Sequence, residues 1–312
     1  MVFGMMKWGA QMSNSGIKHI GKIATDFRVI RETLFRRSKS QIVYTEGDAS
    51  SLGNKDIACI FSHFSLDNKI SDRVVHYIDS LSRAGCDVIF VSACGGSMLR
   101  DELEKLEGIA VISIVRQNVG YDFGSWKDGL EYSQVLKAGY RAILFANDSV
   151  YGPFGDLSNI LEGWLAGELE LMALTESFER GYHLQSYFWG VTGRALRDGF
   201  IDYFFGNYYR HFSNRAQVIR QYELAFARIG VERYGLKVGA LYPVHQLSKD
   251  LQPADLKKFN PVHHGAMVLI SEMGFPFAKR ELLDRNPLQI NIAAEVREYI
   301  NHEFPDYSRD FM

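Results

Sequence analysis

The stretch Ile143-Leu-Phe-Ala-Asn-Asp-Ser-Val-Tyr-Gly-Pro-Phe154 decides how the chain reads. An apolar run, Ala142 to Ala146, ends abruptly in Asn147-Asp148-Ser149, and a Gly-Pro turn follows. A short run that is apolar on both faces predicts a buried strand. That strand carries one carboxylate to its C-terminal edge, where open α/β sheets bind ligands. A second polar cluster lies upstream, Asn118-Val-Gly-Tyr-Asp-Phe-Gly-Ser-Trp-Lys127, after the apolar run Ala110 to Val115. Two polar strand ends this close in sequence predict one shared crevice.

Outward from these motifs, strands alternate with helical patterns. Strands are expected over Ile57–His63, Asp87–Ala93, Val111–Val115, Arg141–Ala146 and Leu171–Thr175. Ser71 stands where it can cap a helix that carries Val74, Val75, Ile78 and Leu81 on one face, with Gly85 to stop it. Further helices are expected over Met98–Leu106, Gly124–Leu136 and Asp156–Leu165. This alternation predicts βαβ units, hence an α/β fold of Rossmann type: a mainly parallel sheet with helices on both faces.

With 312 residues, 46% of them hydrophobic, the chain can bury a sizeable core. A net charge of −2 gives no electrostatic reason to expect a nucleic-acid partner. Cys59, Cys86 and Cys94 show no CxxC spacing and lie in apolar stretches, which points to buried thiols in a reducing, cytoplasmic setting. The apolar runs are too short to span a bilayer.

The first forty residues differ from the rest. Eight Lys and Arg side chains stand against Asp26 and Glu32, while Ile17, Ile20, Ile23, Phe27, Ile30 and Leu34 recur at helical spacing. Such a basic amphipathic helix suits either the anionic inner face of a membrane or packing on the main domain with a solvated basic side. The polar stretch Thr45–Lys55 then reads as a spacer. Three regions result: a basic helical extension and linker over 1–50, the α/β domain over 51–290, and a helical tail over 291–312.

Several function classes lack their motifs. No GxGxxG follows the first strand, which runs instead into Ser62-His63-Phe64-Ser65, and there is no P-loop and no GxSxG elbow. Four early βα units with an acidic strand end near residue 148 resemble the layout of GT-A-type nucleotide-sugar glycosyltransferases. In that class an acidic motif holds Mg²⁺ or Mn²⁺ against the donor diphosphate, which needs hard oxygen ligands.

The order of motifs makes the resemblance specific. Asn118–Lys127 and Asn147–Phe154 are followed by Gln185-Ser-Tyr-Phe188, Tyr222-Glu223, Asn260-Pro-Val-His-His264, Pro276–Leu283 and Asn286-Pro287. Together, from about Ile57 to Pro287, they resemble the rhamnan synthesis protein F family of bacterial polysaccharide glycosyltransferases. The resemblance implies sugar transfer from a dTDP-, UDP- or GDP-linked donor, L-rhamnose or another deoxyhexose, to a growing glycan on a lipid carrier, as in O-antigen or lipopolysaccharide synthesis. Asn147-Asp148-Ser149 departs from the Asp-x-Asp of metal-dependent enzymes, which leaves open a catalytically silent subunit that only binds nucleotide-sugar or glycan.

The candidate site residues follow, each with a plainer competitor. Asp148 organises the donor diphosphate, with or without a cation, or merely caps the turn before Gly152. Asn147, Ser149, Asn118, Asp122 and Lys127 face the donor, or serve as turn and helix-start residues; Gly120 permits close backbone approach. His63 and Phe64 cradle the base or simply pack. Gln185, Ser186 and Tyr187 occupy the expected acceptor position. An inverting transfer needs one carboxylate to deprotonate the acceptor hydroxyl, and Glu223 and Glu176 are the two candidates; a retaining transfer on the same fold is the alternative. His263 is a second candidate metal ligand beside Asp148, while adjacent His264 must point elsewhere. Lys279 and Arg280 either neutralise diphosphate charge or lie on a solvated face. The aromatic run Tyr203–Tyr209 either stacks sugar or lipid headgroup, or packs in the core.

Overall fold

The computed structural model describes residues 40–98, 100–208, 215–247 and 253–312. The expected basic helix before residue 40 lies outside the described residues.

Eleven strands are described. β1 (Ile42–Gly47), β2 (Ile57–His63), β3 (Cys86–Ser92), β4 (Ile112–Arg116) and β5 (Ala142–Asn147) come first. β6 (Val150–Tyr151), β7 (Leu171–Ser177), β8 (His183–Leu184), β9 (Phe188–Thr192), β10 (Val238–Tyr242) and β11 (Ala278–Lys279) follow. The main sheet runs in the order β1-β4-β3-β2-β5-β9-β7-β10, with β8 on β7. β2 to β5 are mutually parallel, and β7 and β10 share their direction; β1, β8 and β9 run against them. The parallel core is the expected one. Every residue of β2, β3, β4 and β5 is buried, as covered parallel strands must be.

Helices cover both faces. The longer ones are α1 (Asp72–Arg83), α2 (Tyr121–Ser133), α3 (Ser158–Ala166), α4 (Leu224–Tyr234), α5 (Ile292–Glu303) and α6 (Pro305–Phe311). Neighbouring strand residues point to opposite faces. Phe61 thus meets Tyr77 of α1 edge-on at 5.0 Å, while Ile60 meets α2. A side chain at Gly129 of α2 would come within 2.6 Å of Ile60 Cγ2, so only glycine lets this helix sit so close to the sheet. On the α2 face, Trp126, Phe145 and Trp189 interlock, and Phe226 of α4 closes on Trp189 at 4.1 Å. Phe204 and Phe205 join this cluster, so that part of the aromatic run is core. α5 and α6 bury Val296, Ile300 and Tyr307 against the opposite face.

Local departures from the sequence reading have physical causes. The stretch read as a spacer begins as edge strand β1, antiparallel to β4; its polar outer side conceals its pairing. Ser71 holds the cap position of α1, but its side chain makes no capping hydrogen bond. α2 starts at Tyr121, three residues before the expected Gly124, because Gly120 (φ 86°) and Tyr121 (φ 54°) turn the chain through left-handed backbone. The earlier start puts Asp122 in the first turn of the helix.

Candidate active site

The C-terminal ends of β2, β3, β4 and β5 lie side by side, with His63 opposite Ser92 and Ser62 opposite Asn147. Above β2 and β5 stands Asp122. Its carboxylate accepts from Ser62 Oγ at 2.8 Å and from Asn147 Nδ2 at 3.0 Å. Asn147 Oδ1 in turn accepts from the Ser149 amide at 3.1 Å and hydroxyl at 2.5 Å. Lys279 Nζ donates to Ser149 Oγ at 2.8 Å and lies 4.9 Å over the Tyr187 ring. The network continues from Tyr187 through Thr175 and Gln185 to Asn260. Each polar group thereby fixes the next, and such fully satisfied networks hold a site rigid.

This network floors a cavity of about 310 Å³ lined also by Glu223, His263 and Glu179. Ser186 Oγ donates to Glu223 Oε1 at 2.6 Å, which aims that carboxylate. His263 is buried, and neither ring nitrogen has a hydrogen-bond partner among the described residues. Burial, then the nearby Lys279, lowers its pKa to about 4, so the ring is neutral at physiological pH. Burial raises Asp122 to about 6; the Asp148 charge adds to the shift, and the bonds from Ser62 and Asn147 oppose it.

Asp148 lines a second cavity, of about 790 Å³, on the other side of the 147–149 segment. His63, Phe64, Arg73, Arg280 and Arg285 line it too. His63 Nδ1 lies 3.1 Å from Ser92 Oγ, and burial lowers its pKa. Phe64 is exposed. Arg73 Nη1 donates to the carbonyls of Asp148 and Val150 at 3.2 and 2.9 Å, and Arg280 Nη1 donates to the same Asp148 carbonyl at 3.3 Å. Sequence reasoning missed Arg73, because its partners lie 75 and 77 residues downstream and nothing near it in the chain marks it.

Other candidates fall elsewhere. Asn118 follows β4 at the same sheet edge but lines neither cavity and is exposed. Lys127 is buried in α2 and pairs with Glu131 at 2.5 Å, away from both cavities. Glu176 is buried, takes the Val244 amide at 3.3 Å, and hydrogen-bonds Tyr182; it lines neither cavity. It serves the fold. His264 Nδ1 accepts from the Asn260 amide at 2.9 Å, turned from His263.

The donor set does not fit a divalent cation. Asp148 and His263 line different cavities. Among the described residues no three His, Cys, Asp or Glu side chains gather as a metal site. Asp148 shares its cavity with Asp67 and Asp72, but they do not gather into a three-ligand set, and the side chains that reach its backbone are the guanidiniums of Arg73 and Arg280.

An open α/β sheet with polar side chains converging at its strand ends defines a ligand-binding protein of Rossmann type. The family model described as rhamnan synthesis protein F matches residues 88–312, and the chain belongs to that family. The virulence protein VirA of Vibrio anguillarum is 31% identical over 225 residues, covering 64% of this chain and 70% of that protein. An uncharacterized protein of Sinorhizobium fredii, y4gN, is 22% identical over 190 residues, covering 59% of this chain and 48% of that one. Among solved structures, a mannosyltransferase from Pyrobaculum calidifontis with GDP-Man and Mn²⁺ covers 92% of this chain and 84% of its own, at 11% identity and a TM-score of 0.39. Mouse xyloside xylosyltransferase 1 covers 59% and 77% at 10% identity and a TM-score of 0.30. The assignment rests on the family match. Among the described residues, no helix is long and apolar enough to cross a membrane.

Proposed function

We propose that this chain is a glycosyltransferase of polysaccharide synthesis, which moves a sugar from a nucleotide-linked donor to a glycan. One observation carries the reading: the 147–149 segment at the end of β5 separates two cavities, with Asp148 facing one and Asn147, Ser149 and Glu223 facing the other. A donor lying across this ridge has its nucleotide on the Asp148 side, near His63 and Phe64. Its sugar lies on the Asn147 side, over Asp122. The acceptor enters by Gln185, Ser186 and Tyr187. Glu223 takes the proton of the acceptor hydroxyl, whose oxygen attacks the anomeric carbon. The bond to the diphosphate breaks on the opposite side, and the configuration inverts.

A neutral His263 offers one donor and one acceptor to hydroxyls in the smaller cavity, which suits a sugar. The family name favours L-rhamnose as the sugar. The acceptor in this reading is a lipid-linked glycan of O-antigen type, met at the inner membrane face by the basic segment before residue 40. The enzyme domain takes in β1 and the helices α5 and α6 as well as residues 51–290, since β1 pairs with β4 and the two helices pack on the same sheet.

The test is turnover of a panel of sugar nucleotides by the purified chain, with and without a glycan acceptor. Consumption of one donor that is lost in Glu223→Gln supports the reading. Tight donor binding with no turnover in the wild type replaces it with the silent binding subunit.

A further inference from the structure

We propose that Arg73 and Arg280 form a diphosphate site that does the work of a divalent cation, so that this chain handles its donor without a metal. The inference rests on the glycosyltransferase reading and names the charge that receives the leaving group.

Arg73 is only 7% exposed, and both its hydrogen bonds go to carbonyl oxygens, with the Asp148 carboxylate as a nearby counter-charge. Arg280 meets it at the same Asp148 carbonyl and crowds the same Tyr151 ring, at 6.0 Å against 5.6 Å for Arg73. Arg280 Nε is buried with no hydrogen-bond partner among the described residues, and it forms a loose ion pair with Asp284 at 3.6 Å. Two guanidiniums held together repel each other and lose hydration, a cost that an anion joining them offsets. Burial and then the Arg280 charge lower the Arg73 pKa, and the Asp148 carboxylate only partly offsets them.

The geometry also fixes the anion. Both side chains line the larger cavity, and exposed Arg285 stands at its rim. The planar forks of arginine match the paired oxygens of a phosphate. The Asp148 carbonyl is pinned from two sides, which fixes the backbone of the 147–149 ridge beside the two guanidiniums. When the sugar C1–O bond breaks, its electron pair stays on the diphosphate oxygen, and the added charge falls beside these two guanidiniums. Stabilising developing charge with fixed groups costs no reorganisation at the moment of reaction.

The experiment is calorimetric titration of the full chain with UDP, GDP, dTDP and inorganic pyrophosphate in EDTA, repeated with Mn²⁺. At least one nucleoside diphosphate should bind in EDTA more tightly than pyrophosphate, and Mn²⁺ should change its affinity less than twofold. Arg280→Gln should weaken that binding by about ten- to a hundredfold, the worth of one charge-assisted hydrogen bond. Arg285→Gln, at an exposed position that cannot unfold the chain, should weaken it a few-fold, and Arg280→Lys should recover part of the loss. Binding that appears only with Mn²⁺, or an Arg280→Gln protein that binds like wild type, overturns the inference. Sugar-nucleotide turnover that needs Mn²⁺ would sink it while leaving the glycosyltransferase reading intact. Metal-free binding with no turnover of any donor would do the reverse.

Discussion

The two cavities beside Asn147-Asp148-Ser149 solve opposite problems. The larger one carries an excess of positive charge: Lys69, Arg73, Lys105, Arg280 and Arg285 line it against Asp67, Asp72 and Asp148, and Arg73 and Arg280 converge on one carbonyl. The smaller one is internally satisfied, from Ser62 through Asp122, Asn147, Ser149 and Lys279. It leaves Glu223 and a neutral His263 at its wall. A site that must hold an anion needs charge in excess. A site that must position hydroxyl groups needs fixed, neutral partners. One strand end supplies both, because consecutive residues beyond β5 turn to opposite sides.

The largest effect should come from the smaller cavity. Glu223→Gln removes the proposed base while keeping the shape and the contact with Ser186. Turnover should fall by about a hundred- to ten-thousandfold, the usual worth of general-base catalysis, with donor affinity near wild type. Steady-state kinetics with acceptor present decide this. A silent Glu223→Gln would move the base elsewhere and break the division between the cavities.

Next is Asp148→Asn, on the other side of the ridge. Asn serves a turn as well as Asp, so the fold and melting temperature should hold. In a metal-free site the carboxylate acts on the Arg73 guanidinium and on donor hydroxyls, so its loss should cost about 1.5–3 kcal/mol, roughly ten- to a hundredfold in rate. Normal turnover in a well-folded variant would reduce Asp148 to a turn former.

Glu176→Gln sharpens the contrast from outside the site. Its carboxylate takes the Val244 amide and Tyr182 rather than facing a cavity. The variant should melt lower by thermal denaturation, yet keep its turnover per folded molecule within about threefold; the stability loss is that of a buried polar contact, about 1–3 kcal/mol.

The smallest effect is a pair of opposed pH slopes. Asp122 has its folded pKa near 6, above the ordinary 3.8. The native state therefore binds extra proton between about pH 4 and 6, and the stabilisation present at low pH is lost as pH rises through that window. His263 lies near 4, below the ordinary 6.5, so its contribution is present above pH 6.5 and lost as pH falls toward 4. The two partly cancel in the wild type. Melting temperatures from pH 4 to 6.5 should show Asp122→Asn more acid-sensitive than wild type and His263→Gln less so. Parallel curves would mean that neither group is held as described.

Much of this protein is legible along the chain. β2 and β5 are short apolar runs bounded by turn residues, too short for buried helices, which makes them read as interior strands; their polar ends, Ser62-His63 and Asn147-Asp148, follow at once in the sequence. The family motifs are local strings, and they mark the Asn147 and Tyr187 neighbourhoods directly. Three kinds of feature stayed hidden. β1 is a strand only because β4 offers a free edge, a long-range pairing without a strong local pattern. Lys127 and Glu176 carry the chemistry of site residues, but burial gave them to Glu131 and to Val244 and Tyr182. Arg73 is one basic residue on a helix until the fold brings it to Asp148.

The sequence by itself determined the alternation of elements, the edge of the sheet where polar strand ends gather, and the family. These depend on hydrophobic periodicity and short motifs, which reside in neighbouring residues. Tertiary structure alone decided which carboxylate faces the crevice, which imidazole is left unpartnered, and where two guanidiniums meet. Charge, burial and hydrogen bonding at a site are properties of what surrounds a side chain, and those surroundings come from residues far apart in the chain.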